Sequence, residues 1–113
     1  MPYIKATTNI TLAESKKKEL KEDFGKLIEV IPGKTERWLM VAIEDGTYMA
    51  MGGDDAPTLM LEVDLLGSAT SETYAAFTRE SCALISKRLG IESGRIYVKY
   101  KEFSVWGAGG VNF

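Results

Sequence analysis

Pro2, directly behind Met1, is the residue of this chain with the most unusual chemical potential. Removal of Met1 turns its ring nitrogen into a secondary amine. An α-amino group titrates near ~7.7–8.0 in water, and burial or nearby cations favour its neutral form. A neutral secondary amine at working pH is a competent general base. Rivals for acid–base work are few, because the 113-residue chain has no histidine and a single cysteine, Cys82. That excludes a Ser-His-Asp triad, a Cys-His dyad, a His-ligated zinc site and a thiolate cluster. Carboxylates, lysines, tyrosines and the terminal amine remain. One cysteine also rules out an internal disulfide, which suits a reducing compartment.

Other residues could carry chemistry or merely structure. Lys34 follows Pro32-Gly33 in a helix-to-strand loop. It is either a cation on the last carbonyls of a helix or a ligand for an anionic substrate. Tyr97 and Lys99 fall on one face of a strand, where Lys99 needs solvent or an anion such as Glu62 or Asp64. Cys82, on an apolar helix face, reads as a small core residue. The tail Trp106-Gly-Ala-Gly-Gly-Val-Asn-Phe113 contains a GxG pattern, but no helix follows to receive a phosphate. Its glycines are expected to let the tail lie close to another surface. Asp54-Asp55 lacks the spacing of a metal loop, so no metal or other cofactor is implied.

The elements that must position these groups can be read from periodicity. Segment 2–8 reads as a strand. Thr11 and Glu14 have capping-box spacing, and Ala13, Leu20, Phe24, Leu27, Ile28 and Ile31 mark one face of a helix that Pro32-Gly33 stops. The run Trp38–Ile43 (WLMVAI) is continuously apolar, as in a strand covered on both faces. Asp45-Gly46 is a turn, Thr47–Met51 a short strand, and residues 52–57 a loop. The pattern then restarts. Thr58–Leu66 is a strand with Leu59, Leu61, Val63 and Leu65 on one face. Ser71–Leu89 is a helix with Tyr74, Phe77, Cys82, Ile85 and Leu89 on one side, ended by Gly90. Arg95–Glu102 is a strand with Ile96, Val98 and Tyr100 opposite Tyr97 and Lys99.

These elements make an α/β (α+β) fold: two tandem β-α-β units sharing a mixed sheet of about four strands, with both helices on one face. A single domain spans 1–113, with repeat units of about 2–57 and 58–113. The other sheet face carries Met60, Glu62, Asp64, Tyr97 and Lys99. That face, and the apolar Trp38–Ile43 run, predict an oligomer in which sheets pack together.

Apolar residues at 45% and charged residues at 27% are ordinary for a globular protein. A net charge of −2, with Lys16-Lys17-Lys18 interleaved among Glu14, Glu19, Glu22 and Asp23, gives no basic stripe for nucleic acid. The N-terminus lacks a signal-peptide pattern and no run is long enough to span a membrane. The expected location is cytoplasmic, or outside the cell by a route needing no signal peptide.

Taken together, the pieces resemble the tautomerase superfamily, in its macrophage migration inhibitory factor and D-dopachrome tautomerase branch. The likeness rests on MP at the start, TTN at 7–9, GK at 33–34, MAMGG at 49–53, Pro57, Gly67, SGRIYVKY at 93–100 and WGAGGVNF at the end. It implies a homotrimer of double β-α-β chains and a cofactor-independent isomerase. By that resemblance Pro2, freed of Met1, is the acid–base group, Lys34 holds the substrate carboxylate, and Leu66 offers its backbone. Tyr97, from a neighbouring subunit, is an aromatic wall. Tyr3, Trp38, Trp106 and Phe113 line the pocket.

The chain also departs from the family pattern. Lys99 stands for a pocket asparagine, as a second cation toward the acid. Ala108 occupies the family's tail tryptophan position, and Trp106 one that is usually aliphatic. Thr58 and Leu61 replace a Cys-x-x-Cys pair found in some members. Leu12 replaces an arginine implicated in receptor contacts of the vertebrate cytokine. The implied function is a keto–enol tautomerase for phenylpyruvate-like or dopachrome-like α-keto acids. The alternative is a cytokine-like ligand of a cell-surface receptor with a vestigial pocket. A hydratase-like variant would need a water-activating carboxylate such as Asp64 or Glu102.

Overall fold

The computed structural model describes residues 1–113. Its strands and helices follow in the order β1 (Pro2–Thr8), α1 (Glu14–Leu27), β2 (Met40–Glu44), β3 (Leu59–Leu66), α2 (Ser71–Leu89) and β4 (Ile96–Phe103). A small hairpin of β5 (Gly107–Ala108) and β6 (Val111–Asn112) closes the chain. The main sheet runs β2-β1-β3-β4. Each β-α-β unit pairs its two strands parallel, β1 with β2 and β3 with β4. The units join antiparallel through β1 and β3. This is the expected double β-α-β architecture with a mixed four-stranded sheet.

Alternation decides which sheet face is covered. In β1 and β3 every second side chain is buried, which puts Ile4, Ala6, Leu59, Leu61, Val63 and Leu65 in the core. Leu20, Phe24 and Leu27 of α1 and Phe77 and Ile85 of α2 close over them. Steps of three and four along each helix keep these residues on one stripe. Ser81, fully buried at one of those steps, returns its hydroxyl to Thr78 O at 3.1 Å. Asp23 and Arg88 tie the helices together at their solvent edge, with Nε–Oδ2 at 2.7 Å.

Three local expectations fail: the cap of α1, its end at Pro32 and the strand at Thr47–Met51. The cap of α1 is Ala13, which is exposed and makes no side-chain bond, so Thr11 and Glu14 form no capping box. Asp45 instead takes the Leu12 N–H at 2.8 Å and turns Leu12, not Ala13, inward. The helix also stops before Pro32, decaying into a 3-10 turn at Ile28–Val30. Trp38–Ile43, for which a second subunit is the expected cover, is not covered on both faces within one chain. Trp38 ends a 3-10 turn, β2 is an edge strand, and Trp38 and Met40 are 56% and 67% exposed. Thr47–Met51 forms no strand, only an isolated bridge from Met51 to Asp54.

What holds this loop is side chains. Asn9 donates to Asp55 O and Ala56 O and accepts from Thr58 N–H, all at 3.0 Å. Arg95 donates to Asp54 O, Ala56 O and Pro57 O at 2.9–3.0 Å. The tail folds on itself, with Trp106 and Phe113 exchanging both backbone hydrogen bonds. Gly109 and Gly110 at φ 60° and 86° supply the two positive φ values that a two-residue hairpin turn requires.

Candidate functional site

The N-terminal strand, the α1–β2 connection and the tail hairpin meet at one end of the sheet. They enclose an open cleft of about 620 Å³ lined by Met1, Pro2, Tyr3, Trp38, Met40 and the Trp106–Gly109 segment. Each wall has a local cause. Pro2 is held in register opposite Leu65, so its ring is buried at the sheet end. Tyr3 pairs with Met40 across the parallel ladder, which brings the start of β2 to the start of β1. Trp106 is set by Phe103, whose ring meets it edge to face at 5.6 Å. No carboxylate lines the cleft.

Lys34 lies beside the N-terminus. The turn from α1, bonded Lys34 N–H to Ile31 O at 3.1 Å, aims its side chain at the sheet. Its Nζ donates to Leu66 O at 2.7 Å, and Leu66 N–H donates to Met1 O at 3.1 Å. The Leu66 peptide thus connects Lys34 to the N-terminus. Lys34 has no carboxylate within ion-pair distance. The Met1 amine is pushed below its ordinary 8.0, first by burial and then by the Lys34 ammonium beside it.

Of the residues singled out in the sequence, Pro2, Tyr3, Trp38 and Trp106 share the cleft, with Lys34 and Leu66 beside Met1. Tyr97, Lys99 and Phe113 do not reach it in one chain. Pro2, Leu65 and Glu102 are register neighbours at one end of the sheet, whereas Tyr97 pairs with Met60. Five residues of strand separate Met60 from Leu65, about 17 Å at ~3.3 Å per residue. Lys99 lies between, on the face away from the helices, and bonds Glu62 at 3.3 Å. Phe113 is occupied in the hairpin ladder and stands half-exposed.

The departures from the family pattern also have places. Thr58, buried, donates to Arg95 O at 2.7 Å, and Leu61 is core, so neither position offers thiol chemistry. Leu12 is buried and presents no charge. Glu102 is committed to structure: its Oε2 accepts from Tyr74 Oη at 2.5 Å and from Ala69 N–H at 3.3 Å. Burial and this carboxylate push the Tyr74 phenol up to about 12. Met40 and the Gly107–Gly109 backbone are cleft residues that periodicity did not reveal. The clue was available in Met40, an unbranched apolar residue at the exposed start of an edge strand.

The family model for macrophage migration inhibitory factor matches residues 1–111. The chain belongs to this family. Among curated relatives, the macrophage migration inhibitory factor homolog of Trichuris trichiura is 27% identical over 102 residues, covering 90% of this chain and 89% of that protein. Among solved structures, Leishmania major MIF2 superposes with a TM-score of 0.93 at 29% identity, covering 100% of this chain and 97% of that one. A crystal structure of Pt0534 inactivated by 2-oxo-3-pentynoate shares the fold, with a TM-score of 0.83 at 24% identity and coverage of 96% and 94%. Membership in the macrophage migration inhibitory factor family supports a tautomerase or MIF-like function for this chain. The family's fold is commonly oligomeric, which fits the exposed Trp38, Met40 and Tyr97.

Proposed function

We propose that the protein is a keto–enol tautomerase for small 2-oxo acids with an apolar or aromatic tail. The observation that carries this is Pro2 in the lining of an apolar cleft that holds no carboxylate, with the Lys34 ammonium beside the N-terminus. With Met1 removed, the Pro2 nitrogen becomes an amine in the surroundings that already depress the Met1 amine. Desolvation and the nearby ammonium both disfavour its protonation. Lys34 binds the substrate carboxylate by charge-assisted hydrogen bonds. The neutral Pro2 nitrogen takes the proton from the enol oxygen, and the resulting secondary ammonium returns it to the adjacent carbon. The reverse direction exchanges these roles. One proton moves, no electrons are transferred, and neither metal nor organic cofactor takes part.

The inactivation of Pt0534 by a 2-oxo acid supports this substrate class by likeness of fold. The test is the ultraviolet decay of phenylpyruvate enol with the mature protein and its Pro2→Gly variant. Loss of a general base lowers the rate by roughly 10²–10⁴. Equal rates contradict the mechanism.

The same reading assigns the protein to a homotrimer, with Tyr97 of one subunit reaching the cleft of the next. The half-exposed Trp38, Met40 and Tyr97 are the motive for that assembly. Light scattering is expected to give three times the chain mass of 12.5 kDa, and a 12.5 kDa species at micromolar concentration contradicts it.

A further inference from the structure

Arg37 does not itself line the cleft but touches one of its walls. It lies over the Trp38 ring, with Cζ 5.1 Å from the centroid, and Trp38 is a cleft wall. Its side chain makes no hydrogen bond, and no carboxylate lies within ion-pair distance. Lys34 differs in this respect, being engaged by Leu66 O beside the N-terminus. Lys101 also makes no ion pair, but it lies over Phe103, at 5.2 Å, rather than over a cleft wall, and carries an ammonium in place of a fork. A guanidinium resting on an aromatic face keeps its in-plane N–H fork free, and that fork matches a carboxylate.

We infer that Arg37 is a specificity-determining residue that selects 2-oxo acids carrying a second anionic group at the far end of the tail. This rests on the assignment of Lys34 to the first carboxylate. The diacid spans the cleft, with its 2-oxo acid end at Lys34 and Pro2, its apolar middle between Trp38 and Trp106, and its second carboxylate at Arg37. The cleft walls contribute no carboxylate to oppose either end.

The test compares two acids on one skeleton that differ by the second carboxylate, cinnamate and 4-carboxycinnamate, neither of which has an enol to turn over. Calorimetry is run on the wild type, Arg37→Gln, Arg37→Lys and Lys34→Ala. The wild type is expected to bind the diacid roughly tenfold more tightly than the monoacid at low salt, as one charge-assisted contact at a partly exposed site would give. Arg37→Gln brings the ratio to about one. Arg37→Lys, with a point charge in place of a fork, leaves an intermediate ratio. Lys34→Ala weakens both acids. A wild-type ratio near one, a ratio that survives Arg37→Gln, or absence of binding by either acid overturns the inference. Enol decay of phenylpyruvate is measured beside it. Selective diacid binding without enol turnover defeats the tautomerase reading and leaves the Arg37 assignment standing; turnover without selectivity does the reverse.

Discussion

The two helices rest on the same face of one sheet, yet their ends are built differently. In α2, Thr70 Oγ1 accepts the Thr73 N–H at 3.1 Å, and Gly90 at φ 69° closes the C-terminus. Helix α1 begins at Ala13 with no side-chain cap and unravels through a 3-10 turn. Beyond that ragged end come Lys34, Arg37, Trp38 and Met40, the residues that face or flank the cleft. Beyond the finished end of α2 comes β4, which carries structure: Tyr100 against Phe77 at 5.9 Å and Lys99 paired with Glu62. Helix α1 lacks a regular C-terminal cap where the chain goes on to the cleft residues, whereas Gly90 closes α2 where the chain goes on to β4.

The contrast can be tested by substitutions that separate packing from aim. The largest expected effect is in the finished half. Phe77 is fully buried between α2 and the sheet. Phe77→Ala is expected to cost about 3–5 kcal/mol in urea denaturation, from lost transfer energy and the cavity left behind. A loss under about 1 kcal/mol would mean that α2 does not anchor the core. Next are the caps. Thr70→Ala should destabilise by about 1 kcal/mol, while Ala13→Ser, at an extended and exposed position, should stabilise by about 0.5–1 kcal/mol. Opposite signs at the two sites are the signature of one capped and one uncapped helix, and equal signs would erase the distinction.

A smaller effect depends on pH. The Leu12 N–H and then Lys17 hold the Asp45 carboxyl below its ordinary 3.8. A carboxyl whose pKa is lower in the folded state stabilises it fully above the unfolded value, and the contribution fades as pH falls through the folded one. The gap in urea midpoint between the protein and Asp45→Asn should therefore be full at neutral pH and close below about pH 4. A gap that widens on acidification would contradict the assigned bonds. The smallest effect belongs to Lys99→Met, which should leave the urea midpoint unchanged within error, because exposed pairs contribute little.

Much of the fold was legible because the second unit obeys local rules. The alternation of Leu59, Leu61, Val63 and Leu65 and the stripe through Phe77 and Ile85 place strand and helix without knowledge of tertiary contacts. The first unit is less legible. A buried-strand reading of Trp38–Ile43 follows from composition, but composition cannot distinguish burial by one's own chain from exposure at an edge. The start of α1 is not legible locally, because Asp45, distant in sequence, takes the Leu12 N–H and turns Leu12 inward. Among the site residues, Pro2 and Lys34 stood out by type and by the family likeness. Met40, Arg37 and the Gly107–Gly109 backbone did not, since their placement depends on strand register and on a hairpin only two residues deep.

The central claim is an uncharged ring nitrogen at Pro2 in the mature protein. Its direct test is an NMR titration of the Pro2 nitrogen in protein whose mass shows Met1 removed. The account predicts a pKa below the ordinary ~7.7–8.0 of an α-amino group, rising toward that range in Lys34→Ala. A nitrogen fully protonated at neutral pH, or one insensitive to Lys34, contradicts it.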